Sequence, residues 1–101
     1  MLSEALPSLA DELAGLLLKA GEKGLASQVP TLRVTARCDC GDGFCATIYT
    51  GTSRPVDAVD LEPEEGMIAV DLDRDQHVVG FEILDRPEHK KAVDDLFSVA
   101  R

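Results

Sequence analysis

Apolar positions recur at helical spacing near both ends of the chain and alternate strictly in between. Leu6, Leu9, Leu13, Leu16, Leu17 and Ala20 share one helical face, with Asp11, Glu12 and Lys19 mainly off it. Pro7 suits a first turn and Gly21 the position past the end, so the spacing predicts a helix over 6–20. Residues 21–30, GEKGLASQVP, read as a loop. Leu32, Val34, Ala36 and Cys38 then alternate with Thr31, Arg33, Thr35 and Arg37, the pattern of a half-buried strand with the first set inward. Phe44, Ala46 and Ile48 continue it after Gly41-Asp42-Gly43, which reads as a hairpin turn. If that turn holds three residues with Gly43 left-handed, Ala36 faces Ile48, Cys38 faces Ala46, and the apolar faces coincide. Cys45 then opposes Asp39 and points away from Cys38 and Cys40. A two-residue turn brings Cys45 opposite Cys38 or Cys40 instead, but buries Thr47 and Tyr49 beside the apolar set.

Residues 52–66 are acidic and rich in proline, hence mostly loop, with a short edge strand at 56–61. MIAVDLD and HVVGFEIL flank Arg74-Asp75. A tight turn there sets Val70 against Val79, Ile68 against Phe81 and Leu72 against His77. The end of the chain predicts a second helix. Asp85 and Glu88 have capping-box spacing, Pro87 is tolerated in the first turn, and Ala92, Val93, Leu96, Phe97 and Ala100 make an apolar stripe. The expected fold is one α+β domain over 1–101: an N-terminal helix, an antiparallel β-meander of two hairpins with four or five strands, and a C-terminal helix, both helices packed on one face of the sheet.

Composition narrows the functions this fold serves. Nineteen acidic residues against ten basic give a formal net charge of −9. That field repels phosphate backbones and anionic lipid, which argues against nucleic acid or a membrane surface as partner and for a basic protein. No apolar run is long enough to span a bilayer, and the start lacks the basic region of a signal peptide. The expected location is a cytoplasm of bacterial type. Three cysteines, an odd number, remain thiols in such a reducing compartment.

Cys38, Cys40 and Cys45, spaced Cys-x-Cys-x4-Cys around a turn, resemble a zinc knuckle. Zinc takes four tetrahedral ligands, so these three need His77 or His89 from a distant element. The alternatives are a redox pair, or Cys38 and Cys40 as small core residues with Cys45 a partly exposed thiol. DLDRDQHVVGFE offers a different metal: Asp71, Asp73, Asp75 and Glu82 stand at the calcium-ligating positions of an EF-hand loop. The glycine expected at its sixth position is Gln76, and the flanks read as strands rather than helices. Solubility alone accounts for carboxylates on the outer side of a hairpin. His77 reads as a residue at the core margin and His89 as a surface or edge residue of the last helix. No cysteine–histidine–acid motif, paired carboxylates in a cleft, or Walker-type lysine after Gly41 and Gly43 points to an enzyme.

Residues 66–88, GMIAVDLDRDQHVVGFEILDRPE, resemble a widespread family of small bacterial and archaeal domains, domain of unknown function 2283. The shared pattern is an apolar strand, an acidic turn and the strand Val78-Val79-Gly80-Phe81-Glu82-Ile83-Leu84. The turn differs, with Gln76 where that family commonly has glycine. The cysteine hairpin resembles a separate group of uncharacterised bacterial proteins carrying Cys-x-Cys-Gly-Asp-x-Phe-Cys. Neither resemblance brings a catalytic residue or cofactor; both imply a compact β-meander with helices. The expectation is therefore a non-enzymatic, acidic interaction or regulatory domain whose partner is a basic protein or a second copy of itself. Zinc binding or thiol sensing by Cys38, Cys40 and Cys45 is the alternative.

Overall fold

A computed structural model describes residues 1–38, 43 and 45–98. Its elements are α1 (Leu2–Ala5), α2 (Pro7–Lys19), α3 (Lys23–Gln28), a 3-10 turn (Val29–Thr31), β1 (Ala36–Arg37), β2 (Ile48–Tyr49), β3 (Asp57–Leu61), β4 (Met67–Leu72), β5 (Val78–Leu84) and α4 (Pro87–Ser98). The strands form one five-stranded antiparallel sheet in the order β1-β2-β5-β4-β3. The fold is thus α+β, with helices at both ends of the chain and an open sheet between them.

Helix α2 follows the leucine stripe, with Leu9, Leu13 and Leu17 buried and Pro7 opening its first turn. Residues 21–30, expected as loop, instead fold into α3 and the 3-10 turn. Leu25, Ala26 and Val29 are buried there and join the main core, which outweighs the poor helix propensity of Gly24. That core joins the leucines of α1 and α2 and Val93 of α4 to the inward row of the sheet, where Ile68, Val70, Phe81 and Ile83 are wholly buried. Both ends of the chain therefore cover the same sheet face.

Around Ile68 and Val70 the β4–β5 hairpin keeps the expected faces but shifts its pairing by two residues, Val70 with Phe81 and Ile68 with Ile83, whereas nearer the turn Leu72 pairs with Val78 and not His77, so Val78 joins the core in place of Val79 and His77 is exposed. A two-residue slip preserves every side chain's face. Its cause lies in the turn. Asp73 Oδ1 accepts the backbone N–H groups of Asp75 and His77 at 2.8 and 2.9 Å, and Gln76 takes the left-handed conformation at φ 64°. The connection is therefore longer than Arg74-Asp75, and an irregularity at Asp71/Leu72 restores the ladder. Gly66, at the start of β4, has no substitute. A Cβ there would stand 2.4 Å from the Leu84 carbonyl oxygen.

The β1–β2 hairpin departs further. Ala36 pairs with Tyr49 and Arg37 with Ile48, one residue away from the expected register. A one-residue slip inverts the faces. Ala36 is exposed, while Arg37 shares the inward row with Ile48, forms an ion pair with Asp94 of α4 and lies 5.9 Å from the Phe97 ring centroid. A charge and an aromatic ring on α4 supply Arg37 with an inward partner that alternation alone does not reveal. The regular strands are also shorter than the alternation suggested, two residues each. Residues 39–42 and 44, with Cys40, most of the expected turn and Phe44, lie outside the described residues, as does Ala100.

At the far end Asp85 adopts φ 58° and α4 begins at Pro87, so the expected helix start slides one residue along the chain. Among the described residues no helix is long and apolar enough to cross a membrane.

Candidate functional site

The side of the sheet away from the helices carries a continuous arrangement of chemistry. One row crosses all five strands through the pairs Ala58↔Asp71, Asp71↔Gly80, Gly80↔Tyr49 and Tyr49↔Ala36. Beside it run Asp60↔Ala69↔Glu82 and Met67↔Leu84↔Cys45. Met67 is 50% exposed and Tyr49 37%, while Ala58 and Ala69 leave the centre low.

Asp71 and Glu82 stand diagonally across β4 and β5, with their carboxyls within hydrogen-bonding reach of each other. Partial burial, then that contact and the neighbouring Glu82 charge, push the Asp71 carboxyl up to about 6. Gly80 makes this convergence possible. A Cβ on it would lie 3.2 Å from Tyr49 Cδ1 and 3.6 Å from Asp71 Oδ2. The approach at this in-strand glycine comes from an aromatic ring and not from a helix. The Tyr49 hydroxyl is within hydrogen-bonding reach of Cys38. Burial, then Cys38, Cys45 and Asp71, push it above the usual phenol range.

The sequence candidates divide accordingly. Cys38 is half-buried on the outer side, its N–H bonded to the Thr47 carbonyl, instead of inward beside Ala46. Cys45 is buried against Leu84 and not partly exposed. Both approach Tyr49. Thr47 is buried although Tyr49, two residues on, is exposed, and its hydroxyl accepts the Ile83 N–H at 3.1 Å, which meets the cost of burying it. Asp71 and Glu82 lie together on the outer face, whereas Asp73 and Asp75 sit in the turn with His77. The Asp73 carboxylate is engaged by the turn's own N–H groups, which hold it below the usual carboxylate range. His77 is exposed.

A second polar cluster joins α2 to the start of α4. Arg86 and His89 are buried at 9% and 4% exposure. The Arg86 guanidinium clamps both oxygens of Glu12 and also reaches Glu88 at 2.6 Å. His89 Nε2 lies 2.8 Å from Glu12 Oε1. His89 is thus a buried residue bonded across helices, not an edge one. The hydrogen bond from Arg86 outweighs the opposing effect of Glu12's own burial and, with that from His89, holds Glu12 below its usual range. Glu12, Glu88 and His89 are close enough together to hold a metal ion, but the guanidinium already occupies the carboxylates. An open cleft of about 400 Å³ borders the cluster, lined by Glu12, Gly15, Leu16, Lys19, Glu62, Glu64 and Arg86. Sequence reasoning passed over Glu12 and Arg86. The only available signal was a lone arginine just before a helix that also bears a histidine.

No family model, curated protein or solved structure matches this chain.

Proposed function

We propose that the chain is a non-enzymatic protein-interaction domain of the cytoplasm, and that it receives a basic partner on the outer face of its sheet. The observation that carries this reading is the unequal treatment of the two faces. All helices gather on one, while the other presents exposed Met67 and Tyr49 around Ala58 and Ala69, with Asp60, Asp71 and Glu82 among them. Apolar side chains mixed with charges of one sign favour an oppositely charged partner that also buries surface. The net charge of −9 steers the same class of partner toward the chain.

The test is photocrosslinking of the full chain in cells from a reactive residue at position 67, with position 18 on exposed α2 as the control. Adducts from position 67 to a lysine- or arginine-rich protein support the reading. Equal capture from both positions overturns it, and adducts to a second copy replace the basic partner with a homodimer.

Zinc binding or thiol sensing is the second reading, favoured by the approach of both Cys38 and Cys45 to Tyr49. It would use Cys38, Cys40 and Cys45, of which Cys40 is outside the described residues. Protein purified without chelator would then retain near-stoichiometric zinc, and Cys45→Ser would lose it. Absence of zinc together with unchanged thermal stability in all three serine variants excludes this reading.

A further inference from the structure

We propose that the Tyr49 ring and the Asp71–Glu82 pair form a receptor for an arginine side chain of the partner, an inference that rests on the docking reading above. The Tyr49 ring and Asp71 meet over Gly80, and Glu82 stands beside Asp71. The ring comes from β2, one carboxyl from β4 and the other from β5, with Gly80 as the floor from which no side chain rises. The ring edge and Asp71 Oδ2 both lie within 4 Å of the position a Gly80 Cβ would take. A guanidinium fits this combination because it stacks on an aromatic face and forks its donors between carboxylate oxygens. The chain satisfies its own Arg37 with the same pairing of ring and carboxylate, from Phe97 and Asp94.

Among the described residues no cation is recorded pairing with Asp71 or Glu82. The titratable groups facing Asp71 are Glu82 from β5 and the Tyr49 hydroxyl from β2, while β3 presents Ala58. The two carboxyls leave negative charge on the outer face beside a neutral phenol. An arriving arginine favours the ionised form of Asp71, so it binds with loss of the proton wherever Asp71 is protonated. Binding is therefore coupled to proton release, and affinity rises as pH increases through the range in which Asp71 ionises, near 6.

The experiment is an amide NMR titration of the full chain with a short peptide alternating arginine and valine, and with the same peptide carrying citrulline, the neutral isostere. The expected result is chemical-shift change centred on Asp71, Gly80 and Glu82. Affinity should be about tenfold weaker for citrulline and about fivefold weaker for Asp71→Asn and Tyr49→Leu. Affinity for the arginine peptide should rise between about pH 5 and pH 7.5, and Asp71→Asn should flatten that rise. Thermal melts of both variants confirm that each is folded. Equal affinity for arginine and citrulline peptides, with shifts over Met67 and Ala69, overturns the receptor and leaves the docking face standing. Shifts confined to the helices, or none at millimolar peptide, overturn both.

Discussion

The two faces of this sheet are built from the same strands and do opposite work. Inward, Val59↔Val70↔Phe81↔Ile48 forms an apolar row under the helices, closed at its end by Arg37 of β1, which pairs with Asp94 of α4. Outward, one residue along each strand, the row is Ala58↔Asp71↔Gly80↔Tyr49. The inner row gains its stability from burial and constrains what each residue is. The outer row makes little core and carries a carboxyl pair that repels itself. A face that contributes so little to folding is available for recognition. The sharpest way to break the comparison is Phe81→Ala. Phe81 is fully buried, and its truncation should cost about 3–5 kcal/mol in a denaturant titration. A loss under about 1 kcal/mol would mean the inner row is not the core.

The faces also respond to pH in opposite senses. Glu12, in the helix layer, is held below its ordinary range, so its contribution is present above the unfolded-state value of about 4.5 and is lost as pH falls. Arg86→Ala removes the guanidinium that causes this and leaves Glu12 and His89 without it. The expected destabilisation is about 2 kcal/mol at neutral pH, reduced from a fully buried pair because Glu12 retains contact with water. The loss should shrink as Glu12 protonates. A constant difference between pH 3 and pH 7 would place the role of Arg86 in packing instead.

Asp71 behaves in the reverse way. Its folded-state value, about 6, exceeds the ordinary 3.8, so the native state holds the proton more tightly than the unfolded chain. Its favourable contribution is complete below about pH 4 and is lost as pH rises through 6. Asp71→Asn should remove this slope and stabilise the chain at pH 7 by on the order of 1 kcal/mol, after discounting for solvent screening. Thermal melts from pH 4 to pH 7.5 check it. A slope across that interval that is the same in the wild-type chain and in Asp71→Asn would show that Asp71 is not raised in the folded state.

The hairpins differ in how openly the sequence declares them. In β4–β5 the alternation of Ile68, Val70, Phe81 and Ile83 identifies the faces, because core packing rewards one parity on both strands. Hidden were the turn length, since Asp73 stabilises a longer connection by side-chain bonds that alternation does not record, and the irregularity at Asp71/Leu72 that brings Val78 inward in place of Val79. In β1–β2 the same logic failed. Ala36 and Cys38 are small enough to lie on either side, and the decisive contact of Arg37 with Asp94 and Phe97 joins residues far apart in sequence. The outer site was legible as Asp71 and Glu82, chosen for an EF-hand pattern. Their actual neighbours, Gly80 and Tyr49, required knowledge of strand order, because β2 lies beside β5 although β3 and β4 intervene in the chain. Likewise, Glu12 and His89 become a pair only once α2 and α4 are known to pack side by side.

The smallest expected effect is the most discriminating between the faces. Met67 pairs with Leu84 on the outer side and is half exposed, so Met67→Gln removes little buried area and leaves a polar amide that water can satisfy. Its stability change should stay within about 0.5 kcal/mol, against several for the neighbouring, fully buried Ile68 truncated to alanine. The same substitution should nevertheless weaken a partner that covers the outer face, because binding, unlike folding, buries Met67. Stability preserved and association lost is the signature of a residue held for recognition. If Met67→Gln instead destabilises the chain as strongly as Ile68→Ala, something in the free protein already covers that face, and the asymmetry between the two sides disappears.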